Sequence, residues 1–326
     1  MTIDADELVA AVAAGGLLAG GRPVVILLSG GRDSVCLLDV AVRIVGAEAV
    51  SGLHVNYGLR DAADGDERHC ADLCERLGVH LRVVRAGGAP GSGNVQAWAR
   101  ELRYAEALRA GTDVAAGHTA TDQVETILYR LASSPSRRAL LGMRAREGRI
   151  VRPLLDVSRE QTAAYCRARG LKWRDDRSNE SPVYARARVR GRLVPALREV
   201  HPAAERNVLA LAQVLRGEAE VLDELVDGVL GGASEVALAR LRELPGALRR
   251  LVVQRLADEA AGEPAAGVAR RADEVTSMGD SASLDLPHGV RATARGGIVT
   301  FGRTPPLPGP GDADNKRAKP ASKIRT

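Results

Sequence analysis

"PVVILLSGGRDSVCLLDVAVRIVG" occupies residues 23 to 46, and Ser29-Gly30-Gly31-Arg32-Asp33-Ser34 lies inside it. An apolar run ends in glycines, an acid and two serines, and apolar residues then resume at helical spacing. The pattern predicts a fully buried strand over 23–29, a tight turn, and a helix over 34–46. At the carboxyl end of a parallel sheet such a turn binds anions, because its N–H groups and the helix's positive end face outward. Gly30 and Gly31 let the backbone approach a phosphate, and the Ser29 and Ser34 hydroxyls can donate to it. Asp33 would repel a bare phosphate, but it suits a site where Mg2+ bridges the two. Walker A is excluded because no lysine is near, and the dinucleotide pattern G-x-G-x-x-G is absent. A serine-capped helix after a glycine turn is the bland alternative, and the whole hexapeptide is more specific than that.

Working outward, the first half alternates. "AVSGLHV" (49–55), "HLRVVRA" (80–86), "DVAAG" (113–117) and "RIVRPLL" (149–155) read as strands. Helical segments lie at about 62–77, 94–110 and 121–132, and Ser158 is an N-cap candidate for another. This order predicts an α/β fold with a doubly wound parallel sheet. From His201 a long amphipathic helix is expected, with Leu211, Leu215, Leu222, Leu225 and Val229 on one stripe. "SLDLPHGVRATARGGIVTFGR" reads as a short terminal hairpin. The expected organisation is a catalytic domain over 1–200 and a helical linker with a smaller, mainly helical domain over 201–303. A disordered basic tail is expected over 304–326.

Composition sets limits. The 326 residues carry a net charge of +5. Of 46 basic residues four are lysines, so 42 are arginines, whose forked guanidinium suits phosphate. No apolar run spans a membrane, and the acidic start Asp4, Asp6, Glu7 differs from a secretory leader, so a cytoplasmic protein is expected. Cys36, Cys70, Cys74 and Cys166 form no C-x-x-C pair, which favours reduced, buried thiols.

The hexapeptide resembles the pyrophosphate loop SGGxDS of the N-type ATP pyrophosphatases, or PP-loop proteins. That resemblance implies an adenine nucleotide alpha hydrolase-like fold with ATP as co-substrate. It implies ATP contacts from Ser29, Gly30, Gly31, Arg32, Asp33, Ser34 and His54. Four further segments narrow it: His54–Arg60, Ala99–Tyr104, Gly117–Thr126 and Arg152–Leu197. Together with the loop they resemble the tRNA(Ile)-lysidine synthases over about the first 200 residues.

That family adenylates the wobble cytidine of an isoleucine tRNA with a CAU anticodon, and L-lysine then displaces AMP to give lysidine. His118, Asp122, Glu125 and Tyr129 are spaced for one helix face. The resemblance makes Asp33, His118, Asp122 and Glu125 catalytic, Asp33 and Asp122 the Mg2+ ligands, and Glu125 the lysine site. An acidic first turn serving only the helix dipole is the competing reading. Arg60, Arg100, Arg103, Asn179, Arg186, Arg188 and Arg190 are candidate tRNA or nucleotide contacts. A homodimer is allowed, and Trp173 reads as core.

Three positions depart from the family pattern: Thr121 where an acid is common, Tyr57 in place of histidine, and Ala187 in place of asparagine. Two rival functions stay open, a tRNA-thiolating PP-loop enzyme and a catalytically silent tRNA-binding protein. A thiolase would call for paired cysteines, and a pure binder has no use for acids beside a phosphate site.

Overall fold

The computed structural model describes residues 4–19, 21–59, 63–89, 94–134, 136–174 and 185–305. Arg60, Asn179 and the tail beyond 305 lie outside the described residues. The chain divides into two compact units, Met1–Arg216 and Gly217–Thr326.

In the first unit, α1 (Ala5–Ala14) is started by a capping box between Asp4 and Glu7. Then follow β1 (Val24–Leu27), α2 (Arg32–Val45), β2 (Val50–Asn56), α3 (Ala63–Leu77), β3 (His80–Arg85) and α4 (Val95–Leu108). Next come β4 (Asp113–Ala115), α5 (Ala120–Ser133), β5 (Arg146–Glu147), β6 (Ile150–Val151) and α6 (Arg159–Ala168). The strand order is β3-β2-β1-β4-β6-β5, parallel except for the β5–β6 pair. This is the doubly wound parallel sheet expected from the alternation, with its switch point between β1 and β4.

Alternation along β1 explains why helices cover both faces. Val24 and Ile26 pack with Leu37, Leu38 and Tyr165, whereas Val25 and Leu27 pack with Leu53, Tyr104 and Ala107. The strand expected over 149–155 shortens to β6, because Pro153 has no N–H for the ladder and the chain turns there. The antiparallel β5 at the edge was not foreseen.

The first unit continues through α7 (Ala185–Arg188), a π-helical turn (Val189–Leu193), α8 (Val194–Val200) and the start of α9 (Ala204–Leu230). The division between units falls within α9. Of the expected stripe, Leu215, Leu222 and Val229 do lie on the less exposed side of the helix, but the most buried positions there are Ala212, Ala219 and Val226. Leu211 and Leu225 sit one position off this seam and are about half exposed, at 54% and 51%.

The second unit holds β7 (Glu235–Ala237), α10 (Leu238–Glu243), α11 (Gly246–Ala261), α12 (Ala272–Thr276), β8 (Ser283–Leu286), β9 (Val290–Arg295) and β10 (Ile298–Arg303). The expected hairpin is part of a four-stranded antiparallel sheet, ordered β7-β10-β9-β8. Val252, Val253 and Leu256 of α11 pack on Val290, Ala292 and Val299 of that sheet. No helix among the described residues is long and apolar enough to cross a membrane.

Candidate active site

The loop after β1 is shaped by its own side chains. Gly30 adopts φ +80, which only glycine takes without strain, and a Cβ there would meet the Cys70 sulfur at 3.3 Å. Ser34 Oγ donates to the Gly31 carbonyl at 2.8 Å and accepts the Ser29 N–H at 3.2 Å. Ser29 Oγ lies 3.1 Å from Ser34 Oγ and accepts the Gly31 N–H at 3.3 Å. The hydroxyls therefore hold the loop's shape without a ligand. Gly31 is the N-cap of α2 and offers no side-chain cap, so the first N–H groups of that helix remain available to an anion. His54 lies buried beneath the loop, with Nδ1 2.9 Å from the Leu28 carbonyl. From the far side, the Arg174 N–H donates to the Gly30 carbonyl at 3.0 Å.

Across the switch point, the segment after β4 brings Gly117 against this loop. A Cβ on Gly117 would stand 3.0 Å from the Asp33 carbonyl oxygen, so only glycine lets the two segments come so close. Thr119 then begins α5 with a capping box. Asp122 Oδ2 accepts both the Thr119 N–H and its hydroxyl at 2.9 Å, which leaves Oδ1 facing the site. Asp33 accepts from Thr162 Oγ1 at 2.6 Å and from Arg32 Nε at 3.1 Å. Arg159 lies between the two acids, 3.5 Å from Asp33 and 3.6 Å from Asp122.

One turn further along α5, buried Glu125 is gripped by Arg190, through Nε at 2.6 Å and Nη2 at 2.8 Å. Arg190 also reaches Asp122 at 3.7 Å. The expected line of acids is thus brought together, and each acid already faces a guanidinium. Arg186 donates to Thr126 at 3.4 Å, and Arg188 stands with it on α7. Arg100 and Arg103 lie over the Tyr104 ring, at 4.8 and 5.7 Å from its centroid.

His118 follows β4 with its Nδ1 buried and unpartnered among the described residues. Burial pushes its pKa down to about 4, with Arg152, Arg100 and Arg103 adding to the effect while Asp122 opposes it. The imidazole is therefore neutral near pH 7. Three contributors escaped the sequence reading: Thr162, Arg159 and the buried Arg152. Thr162 and Arg159 sit in "SREQT", within a segment singled out only as a whole, and no local spacing ties them to Asp33. Thr121 meets the departure noted above by accepting the Arg159 N–H at 3.3 Å, which ties α5 to α6. Gln123, beside the acids, has a structural role: its amide exchanges hydrogen bonds with the Met143 main chain at 2.6 and 2.9 Å.

Residues 4–197 match the PP-loop domain family. A tRNA(Ile)-lysidine synthase from Thermus thermophilus is 36% identical over 306 residues, covering 89% of this chain and 58% of its own length. The enzyme of that name from Salinispora tropica is 35% identical over 305 residues, covering 85% of this chain and 90% of its own. The chain thus spans under two thirds of the Thermus relative and nearly all of the Salinispora one. Among solved structures, the U34-tRNA thiolase of Methanococcus maripaludis superposes with a TM-score of 0.53 at 17% identity, over 65% of this chain and 78% of its own, a likeness of fold alone. With the PP-loop, the paired acids of α2 and α5 and these relatives in view, the chain belongs to the tRNA(Ile)-lysidine synthase family.

Proposed function

We propose that this chain ligates L-lysine to the wobble cytidine of tRNA(Ile) with a CAU anticodon, through an adenylated tRNA, releasing pyrophosphate and AMP. The observation that carries this reading is the line Asp33, Asp122, Glu125, in which each carboxylate is already matched by an arginine cation. The loop and the α2 N-terminus hold the outer phosphates of ATP. Cytosine has a single carbonyl oxygen, and that oxygen attacks the exposed α-phosphorus. Lysine nitrogen then displaces AMP.

Mg2+ commonly takes one or two carboxylates and completes its shell with phosphate and water. Asp33 and Asp122, pinned to one guanidinium, suit that demand, and the ion would offset charge on the departing pyrophosphate. The Arg190 guanidinium held on Glu125 supports reading that carboxylate as the seat of the lysine ammonium. Neutral His118 suits hydrogen bonding to the cytosine base better than charge pairing with phosphate. Positioning and charge neutralisation carry the catalysis. Arg60, Arg100, Arg103, Asn179, Arg186 and Arg188 are assigned to tRNA, and the region 201–303 to recognition of its body.

The thiolating alternative gains no support. All four cysteines are buried, and burial pushes the Cys70 and Cys74 thiols up to about 12 and about 11, away from the thiolate such chemistry needs. The decisive test is transfer of radiolabelled lysine to an isoleucine tRNA transcript with the CAU anticodon, with methionine tRNA as control. ATP-dependent labelling of the first alone is expected; AMP release without labelling would demand another nucleophile. Asp33→Ala should abolish tRNA-dependent pyrophosphate exchange while tRNA binding survives. Normal exchange in that variant would refute the metal role.

A further inference from the structure

The chain has only eight aromatic residues, two Trp, five Tyr and one Phe. Three of them, Tyr57, Trp98 and Tyr104, gather where β2 ends beside α4. Tyr57 and Trp98 meet edge to face, with centroids 5.8 Å apart and planes at 63°. The Tyr57 hydroxyl donates to the Ala99 carbonyl at 2.9 Å, which fixes the ring against α4. Asn94 caps that helix by accepting the Gln96 and Ala97 N–H groups, so the turn bearing Trp98 is held as well.

We propose that Tyr57 and Trp98 form a stacking platform for an unpaired anticodon-loop base next to the wobble cytidine. An edge-to-face pair leaves ring faces uncovered, and both side chains are only partly buried. The Trp98 indole N–H has no partner among the described residues. Exposed Leu59 extends the apolar surface. Arg100 and Arg103 bring positive charge over the neighbouring Tyr104 ring, and aromatic faces interleaved with arginine are how proteins hold single-stranded RNA.

The place agrees with the occupant. β2 runs parallel to β1, so the platform shares the rim of the PP-loop. Arg103 is near enough for its charge to act on both the Tyr57 hydroxyl and the His118 imidazole. A paired stem hides its base faces, whereas a loop presents them.

The platform rests on the proposed reaction for its choice of RNA, and its test separates the two. An anticodon stem–loop carrying 2-aminopurine at each unpaired position in turn is titrated with the full chain. Wild type should quench one position. Trp98→Leu, which keeps apolar bulk, should lose that quenching and bind about tenfold or more weakly, while Trp98→Phe restores most of both. ATP affinity should be equal in all three. Should Trp98→Leu melt early, Tyr57→Leu reads the same platform from its other ring. Unchanged quenching and affinity in the Leu variants would overturn the platform, even with lysine transfer intact. Quenching that depends on Trp98 without any lysine transfer would sink the proposed reaction and leave the platform standing.

Discussion

Arg190 meets Glu125 side-on, its Nε and Nη2 donating two parallel hydrogen bonds of 2.6 and 2.8 Å to the carboxylate of a residue that is 2% exposed. A buried carboxylate in such a grip has its charge matched, so on the proposed reading a lysine ammonium that took this place would exchange one positive charge for another. The arginine is raised above its ordinary pKa chiefly by this hydrogen bond, so it stays charged throughout the working range.

Arg190→Met leaves Glu125 buried without its partner. Breaking a buried pair costs about 3–5 kcal/mol, and since Arg190 is a third exposed, a loss of about 2–4 kcal/mol is expected in urea unfolding. Added lysine should return part of that loss, and should stabilise the variant more than the wild type. Equal lysine effects in both proteins would mean that Glu125 does not receive the ammonium.

Thr162→Val keeps the shape of the side chain and removes the donor to Asp33 Oδ1. A stability loss of about 1–2 kcal/mol is expected, with weaker ATP binding in the presence of Mg2+. Thr162→Ser should recover most of the affinity. Titration calorimetry with ATP, with and without the metal, distinguishes a positioning role from simple packing, which would leave the metal dependence unchanged.

Gly117→Ala puts a methyl 3.0 Å from the Asp33 carbonyl oxygen, 3.1 Å from its carbon and 3.2 Å from the Ser34 nitrogen. These are main-chain atoms and cannot swing aside. The loop must shift, and ATP affinity should fall by about tenfold or more while the second unit is unaffected. Wild-type affinity in this variant would show that the loop tolerates movement relative to β4.

His118 is pushed from the usual 6.5 down to about 4, so the unfolded chain takes up its proton first as pH falls. The stability tied to the neutral imidazole is whole above pH 6.5 and is lost between 6.5 and 4. His118→Gln should therefore lose less stability than wild type between pH 7 and pH 5, as read from urea midpoints. Parallel losses would place the imidazole in a more solvated setting.

The parts of the fold legible in the sequence were those with local causes. Val24–Leu27 is an unbroken apolar run, Ser158 is a cap of ordinary type, and Asp122 and Glu125 follow helical spacing, whereas His118 stands just before the Thr119 cap and not on the helix itself. What escaped was tertiary. Thr162 meets Asp33 across 129 positions and Arg190 meets Glu125 across 65, and nothing local announces either pairing. Along α9 the large side chains of Leu211 and Leu225 drew two of the five expected positions off the seam, where the small Ala212 and the valine Val226 sit instead. In the second unit, β7 pairs with β10 some way down the chain, which turned an expected hairpin into a sheet.

The hydroxyl ring of Ser29 and Ser34 has a consequence for selectivity. An arriving phosphate that draws these hydroxyls to itself must take them from partners inside the loop, so the number of hydrogen bonds they make hardly changes on binding. What the ligand adds is negative charge at an uncapped helix start. A neutral mimic of triphosphate, however faithful in outline, would merely swap equals for equals and should be ignored, whereas a crude but highly charged polyanion should compete.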